Sequence, residues 1–259
     1  ALSYAYDPAA NVLTGTQDGA VTTYAYDALY QLTEVAYPDG SWERYDYDPV
    51  GNRLELTSPA GTAQYVYDAA DQLVVITDTR GGLPAVTAFT YDENGSMRSR
   101  TIGGQTTLYN WDATGNLARV DLPDGRHVAY GYGPDGQRVW RRAADGTTVF
   151  YVYDGLNLIQ ERTAAGDVLA SYIYGHEADR PLVMTRGSKD YYYLYDRLGS
   201  VIGLTDGAGG MAARYRYDAW GILLSETGSV ENPFRYTGRE WDAETGLAYH
   251  RARWYDPIL

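Results

Sequence analysis

Gln31-Leu32-Thr33-Glu34-Val35-Ala36-Tyr37-Pro38-Asp39-Gly40-Ser41-Trp42-Glu43-Arg44-Tyr45-Asp46-Tyr47-Asp48 is the stretch that decides how this chain folds. Tyr45 and Tyr47 stand two residues apart, and Asp48 follows at once. That spacing puts both rings on one side of an extended strand, whereas a helix needs a spacing of three or four. Pro38-Asp39-Gly40 interrupts the stretch, and Asp-Gly between strand-like runs signals a hairpin. Asp48-Pro49-Val50-Gly51-Asn52 makes the second turn, since an aspartate accepts amides two residues on and a glycine takes positive φ. One unit therefore reads as one β-hairpin.

The unit repeats. Its mark appears as Tyr4-Ala5-Tyr6-Asp7, Tyr24-Ala25-Tyr26-Asp27, Tyr45-Asp46-Tyr47-Asp48, Tyr65-Val66-Tyr67-Asp68, Phe89-Thr90-Tyr91-Asp92 and Tyr109-Asn110-Trp111-Asp112. It continues as Tyr130-Gly131-Tyr132-Gly133, Tyr151-Val152-Tyr153-Asp154, Tyr172-Ile173-Tyr174-Gly175, Tyr193-Leu194-Tyr195-Asp196 and Tyr215-Arg216-Tyr217-Asp218. Fourth positions fall at 7, 27, 48, 68, 92, 112, 133, 154, 175, 196 and 218, so successive steps run from 20 to 24. The step of 24 ends at Asp92, and its extra residues enlarge the turn Thr79 to Pro84. A fixed period of this kind predicts an all-β repeat array. About twenty-two strands at ~4.8 Å spacing give a ribbon roughly 100 Å wide, which strand twist coils into a spiralling, curved sheet, part of a hollow shell. The tyrosines are expected to stack as columns across it.

Composition agrees with this reading and closes off other classes. The chain of 259 residues has 27 Tyr but 3 Phe, with 29 Gly and 10 Pro for turns. A net charge of −13 repels phosphate backbones and anionic lipids, so neither nucleic acid nor membrane insertion is expected. The absence of Cys removes disulfides, thiolate metal sites and cysteine nucleophiles. The start at Ala1 lies within the pattern and shows no signal-like core, which points to a segment of a longer protein.

The period breaks after Asp218. Residues 1–218 read as tandem repeats and 219–259 as an atypical terminal segment, of the kind that caps an open array. Its marks are Pro233, Phe234, Tyr236, Gly238, Trp241, Asp242, Gly246, Tyr249, Arg251, Arg253, Tyr255, Asp256 and Pro257.

These repeats resemble the YD repeats of the Rhs family, found in bacterial polymorphic toxins, in C components of insecticidal toxin complexes and in teneurins. The segment from Pro233 to Pro257 is similar to the signature that ends the Rhs core, with departures at Ala248, His250 and Trp254. The resemblance implies a β-sheet shell, secreted or on the cell surface, that encloses a partly unfolded C-terminal toxin domain. It also implies a self-cleavage motif beyond Leu259. The expected partners are that toxin domain, neighbouring repeats, or another copy through exposed edge strands.

Candidate chemistry is thin. Asp256-Pro257 offers one carboxylate where an aspartyl mechanism needs two, so Asp256 reads as a turn residue. His127, His176 and His250 lie in different repeats without ligand spacing, and Asp112 to Asn116 lacks the later Glu of a calcium loop. No catalytic residue, metal site or cofactor is expected. A structural, non-catalytic wall that holds a toxin is the leading reading. A teneurin-like adhesion or carbohydrate-binding module, and a fragment of a self-cleaving protein, are the alternatives.

Overall fold

The computed structural model describes residues 2–177 and 179–259. The chain forms two compact units, 1–108 and 109–259. Among the described residues, 22 strands follow one another as antiparallel hairpins and three short strands make a second sheet.

The first unit contains β1 (Leu2–Tyr6), β2 (Val12–Gln17), β3 (Ala20–Tyr26), β4 (Leu32–Ala36), β5 (Trp42–Tyr47), β6 (Arg53–Ser58), β7 (Gly61–Tyr67), β8 (Leu73–Asp78), β9 (Ala85–Tyr91) and β10 (Met97–Ile102). β11 (Gln105–Trp111) follows. In the second unit run β12 (Leu117–Asp121), β13 (His127–Tyr132), β14 (Arg138–Arg142), β15 (Thr148–Asp154), β16 (Asn157–Arg162), β17 (Val168–Tyr174), β18 (Pro181–Arg186), β19 (Lys189–Tyr195), β20 (Val201–Asp206), β21 (Met211–Tyr217) and β22 (Leu223–Gly228). A 3-10 turn, Tyr236–Gly238, then precedes β23 (Glu240–Asp242), β24 (Leu247–Tyr249) and β25 (Trp254–Tyr255).

The repeat aspartates build one class of turn. Asp48 Oδ1 accepts the amides of Val50 and Asn52 at 3.0 and 2.8 Å. Asp7, Asp27, Asp68, Asp92 and Asp112 accept the amides two and four residues on in the same way, and so does Asp218. Asp196 accepts from Ser200. Where glycine replaces the aspartate at Gly133, backbone bonds close the turn and Asp135 accepts the Gln137 amide at 3.1 Å. Asp154 is the exception: it pairs with Asn157 around a two-residue turn. The enlarged turn from Thr79 to Pro84 joins β8 to β9, with Asp78 opposite Ala85.

The two rings of each mark have different jobs. The first is buried, as at Tyr45, Tyr65, Phe89, Tyr109, Tyr130, Tyr172, Tyr193 and Tyr215. In most repeats the second is half-buried and uses its hydroxyl, whereas Trp111 has none and the buried Tyr153 hydroxyl has no hydrogen-bond partner among the described residues. Tyr26 pairs with Leu32 beside a β-bulge, and Tyr47 of the next repeat donates to the Leu32 carbonyl at 2.7 Å. Tyr47 pairs with Arg53, whose carbonyl takes the hydroxyl of Tyr67, and Tyr67 pairs with Leu73, whose carbonyl takes that of Tyr91. The second unit repeats the link at Tyr132 to Leu117, Tyr174 to Leu158, Tyr195 to Pro181 and Tyr217 to Val201. A bulge disturbs the ladder locally, and the phenol supplies a hydrogen bond there that Phe cannot. Burial raises the Tyr47 pKa to about 12, which keeps the donor protonated. This link explains the excess of Tyr over Phe.

The expected tyrosine columns are interleaved. Between successive first rings stands an inward residue of the intervening strand. Arg53 lies 6.0 Å from the Tyr45 ring and 4.4 Å from the Tyr65 ring. At the corresponding step, counted from the turn, Leu32, Leu73, Leu117, Leu158 and Val201 stand in other repeats, and Arg138 stands in one.

Candidate functional site

The chain leaves β22 at Gly228 and returns across the tyrosine face of the second unit. Asn232 makes the first anchor. Its Oδ1 accepts the Tyr193 hydroxyl at 2.8 Å, and its amide donates to the Phe234 carbonyl at 2.7 Å. This presents the Phe234 ring edge-on to Tyr172 and Tyr193, with centroids 5.1 and 6.1 Å away. Arg235 covers the Tyr215 ring at 4.0 Å and pairs with Glu226 at 2.9 Å. Tyr236 leans on Tyr217 and Tyr255, and donates to the Ala219 carbonyl at 2.9 Å. Gly238 passes so close to the sheet that a Cβ there would lie 2.8 Å from the Asp179 carbonyl.

Arg138 is the centre of the site. It is 2% exposed, and its guanidinium lies 4.5 Å from the Tyr151 ring, 4.6 Å from Tyr249 and 5.5 Å from Trp254. Glu240 supplies the carboxylate in a buried ion pair. The Arg138 backbone amide donates to the Tyr249 hydroxyl at 2.9 Å. Burial opposes the cation, but Tyr151 and Glu240 outweigh it and hold the Arg138 pKa above its ordinary value. One helical pitch would not produce this; strand alternation does, since Arg138 and Arg141 flank the bulge opposite Tyr132 and Tyr130.

Arg141 grips the next turn of the terminal segment. It donates to both oxygens of Asp242 at 2.7 and 2.8 Å and also pairs with Glu244. Tyr130 donates to Asp242 at 2.6 Å. Burial pushes the Asp242 carboxyl up, but the bonds from Arg141 outweigh it and hold the pKa below the usual range. Burial pushes the Tyr130, Tyr172 and Tyr193 phenols well up, so all three stay donors. Arg186 pairs with Glu161 at 2.5 Å, and Glu161 accepts the Tyr172 hydroxyl at 2.7 Å. Asp179 holds Arg239 at 2.9 Å and also Arg251. The pairs of Arg141 with Asp242 and Glu244 and of Asp179 with Arg239 and Arg251 fasten the crossing segment, whereas Glu161 joins Tyr172 and Arg186 within the wall; these acids and bases are taken up by one another.

The remaining marked residues fall as follows. Tyr4 and Tyr6 lie on β1, Tyr24 and Tyr26 on β3, Trp111 on β11, Tyr151 and Tyr153 on β15. The Pro233 carbonyl accepts the Trp241 amide and the Asp242 carbonyl accepts that of Gly246, both at 2.8 Å. Tyr255 donates to the Trp220 carbonyl at 2.6 Å. Arg253 is exposed, while its carbonyl takes the His250 amide. Asp256 accepts the Ile258 amide at 3.0 Å, as a turn aspartate does, and Pro257 is buried. Sequence reasoning did not single out Arg138, Arg141, Glu161, Asn232, Glu240 or Glu244. A charged residue at a step that Leu or Val fills in most repeats is the signal that marks Arg138, as it marks Arg53.

Residues 9–259 match the family model described as Teneurin YD-shell. The chain is 38% identical over 177 residues to the tRNA3(Ser)-specific nuclease WapA of Bacillus spizizenii and 37% identical to the tRNA nuclease WapA of Bacillus subtilis. Each alignment covers 66% of this chain and 7% of the relative, so the chain spans a small part of those proteins. With the double-stranded DNA deaminase toxin A of Burkholderia cenocepacia it shares 28% identity over 205 residues, 65% of this chain and 14% of the toxin. A crystal structure of TcdB2-TccC3 aligns with 98% of this chain and 18% of its own, at 18% identity and a TM-score of 0.48. With its hairpins, its marks and nearly its whole length matched, this chain belongs to the Teneurin YD-shell family.

Proposed function

We propose that this chain is a non-catalytic wall segment that, in a longer secreted or cell-surface protein, helps enclose a C-terminal toxin domain. Residues 1–218 form wall, and residues 219–259 fasten its end. One observation carries the reading: the terminal segment is tied across the tyrosine face by buried pairs such as Arg138–Glu240 and Arg141–Asp242. Those groups neutralise one another and leave no acid–base pair set up for chemistry.

The relatives support this. Their names give tRNA nucleases and a double-stranded DNA deaminase, and the match to each covers only a minor part of its length. A segment common to toxins of different chemistry is better assigned to housing than to any one activity.

Limited proteolysis of the full-length protein tests the proposal. The C-terminal domain should resist digestion while the wall is folded and become sensitive once it is denatured. Equal digestion of that domain in the intact protein and in isolation would overturn the enclosing role. Residues 1–259 alone should leave tRNA and double-stranded DNA unaltered.

A further inference from the structure

At Tyr153 the hydroxyl link between repeats is missing. Tyr132, Tyr174, Tyr195 and Tyr217 of the same unit each donate to a carbonyl of the preceding repeat. By the same count Tyr153 would donate to the Arg138 carbonyl. Its oxygen is buried instead without a hydrogen-bond partner among the described residues. A buried hydroxyl that has given up water and found no partner is costly, and most such groups in folded proteins are paired.

Tyr153 lines a cavity of about 20 Å³ together with Glu240, Asp179, Arg239 and Arg251. Leu158 and Phe234 close its apolar side. A cavity needs about 10–15 Å³ to hold one water, so this one has room for a single water and for no larger polyatomic ligand.

The charges around it narrow the ligand further. Asp179 is paired with both Arg239 and Arg251, and Glu240 is paired with Arg138. Each ion at the wall already has its counter-ion, so the site suits a neutral group rather than a cation or an anion. Glu240 uses Oε2 for Arg138, and its Oε1 receives no hydrogen bond among the described residues. Tyr153 and Glu240 share no direct hydrogen bond. Burial raises the Tyr153 pKa and the nearby Glu240 charge raises it further, so the phenol keeps its proton and has it to give. A donor and an acceptor thus line one small polar cavity without meeting.

We propose that this cavity binds one ordered water, which accepts the Tyr153 hydroxyl and donates to Glu240 Oε1. A bridging water is nearly as good as a direct hydrogen bond. The link that other tyrosines make to the preceding repeat is thereby turned toward the terminal segment. Glu240 on β23 then holds two strands of the wall, β14 through Arg138 and β15 through the water. Tyr153 acts as a positioning residue for the Glu240 carboxylate. The proposal goes beyond the enclosing role and does not depend on it.

A crystal structure of the chain, at a resolution that shows ordered water, tests the site directly. One peak should lie about 2.6–3.2 Å from both Tyr153 Oη and Glu240 Oε1. Water-oxygen magnetic relaxation dispersion then counts the long-lived buried waters in solution. Tyr153→Phe should lower that count by one. Tyr195→Phe should leave it unchanged, because Tyr195 donates straight to the Pro181 carbonyl. A loss of ring packing alone would not move the count in this selective way. No density between the two oxygens, an ion in that place, or a Tyr153 hydroxyl bonded directly to a protein group would overturn the proposal. So would a Tyr153→Phe count equal to that of the parent. Should that variant fail to fold, the crystal structure of the unmodified chain decides by itself.

Discussion

Arg138 and Glu240 lie 102 residues apart in the chain and meet in a buried ion pair. The pair joins a repeat strand to the terminal segment. Glu240→Ala leaves a buried guanidinium without its carboxylate, and the expected cost is about 3–5 kcal/mol. The double change Arg138→Leu, Glu240→Leu should recover most of that loss, because Leu117 and Leu158 fill the same step elsewhere and replacing a buried pair by apolar groups is often neutral. Urea unfolding followed by tryptophan fluorescence reads both, since Trp254 lies 5.5 Å from the guanidinium. A single variant within about 1 kcal/mol of the parent would remove the pair from its role as a clasp.

Tyr195 should show why the second ring is a phenol. Its hydroxyl donates to the Pro181 carbonyl at 2.6 Å, next to a bulge. Tyr195→Phe keeps the ring and loses the bond, so it should cost about 1 kcal/mol. Tyr195→Ala also loses the ring stacked on Tyr193 and should cost about 3–5 kcal/mol. A Phe variant that melts with the parent would mean that the inter-repeat link adds nothing to stability.

The contrast between these two sites shows what the sequence discloses. Paired rings two residues apart and Asp-led turns are local features, set by φ/ψ preferences and side-chain alternation over a few positions. Hairpin boundaries around Tyr45 and Tyr47 therefore follow from their own neighbours. The hydroxyl link from Tyr47 to Leu32 depends on a bulge that residue types do not announce. The clasp is less visible still. Nothing near Glu240 says that its partner lies on β14, because the path of residues 229–235 sets that meeting, and no period governs it. Asp179 illustrates the same point: it binds Arg239 and Arg251 from the terminal segment.

Gly238 should be less replaceable than Gly166, another glycine at positive φ. Gly238 has φ of +69° and Gly166 has φ of +92°, so alanine strains either backbone by about 1 kcal/mol. Around Gly166 the space is open, whereas a Cβ on Gly238 would meet the Asp179 and Gly199 carbonyls at 2.8 and 3.1 Å. Gly238→Ala should therefore lower the melting temperature more than Gly166→Ala, and should loosen the segment after Tyr236 in hydrogen exchange. Equal shifts for the two variants would mean that the close approach at Gly238 is easily relaxed.

His250 makes the terminal segment sensitive to mild acid. Burial, the charge of Arg239 and that of Arg251 lower its pKa to about 4, against an opposing pull from Asp179. In the unfolded chain a histidine titrates near 6.5. Between these values the unfolded state binds the extra proton, so stability rises with pH across the window. The His250 contribution should be complete above about pH 6.5, fall as pH drops toward 4, and change no further below it. Asp242, held low by Arg141, acts on the acid side: its contribution is present above the unfolded carboxylate value and is lost as pH falls through its own. His250→Gln should flatten the denaturation midpoint between about pH 4 and 6.5 and leave the steeper acid limb in place, whereas Asp242→Asn should change that limb. A slope between pH 4 and 6.5 that is the same with and without His250 would assign the titration to another group.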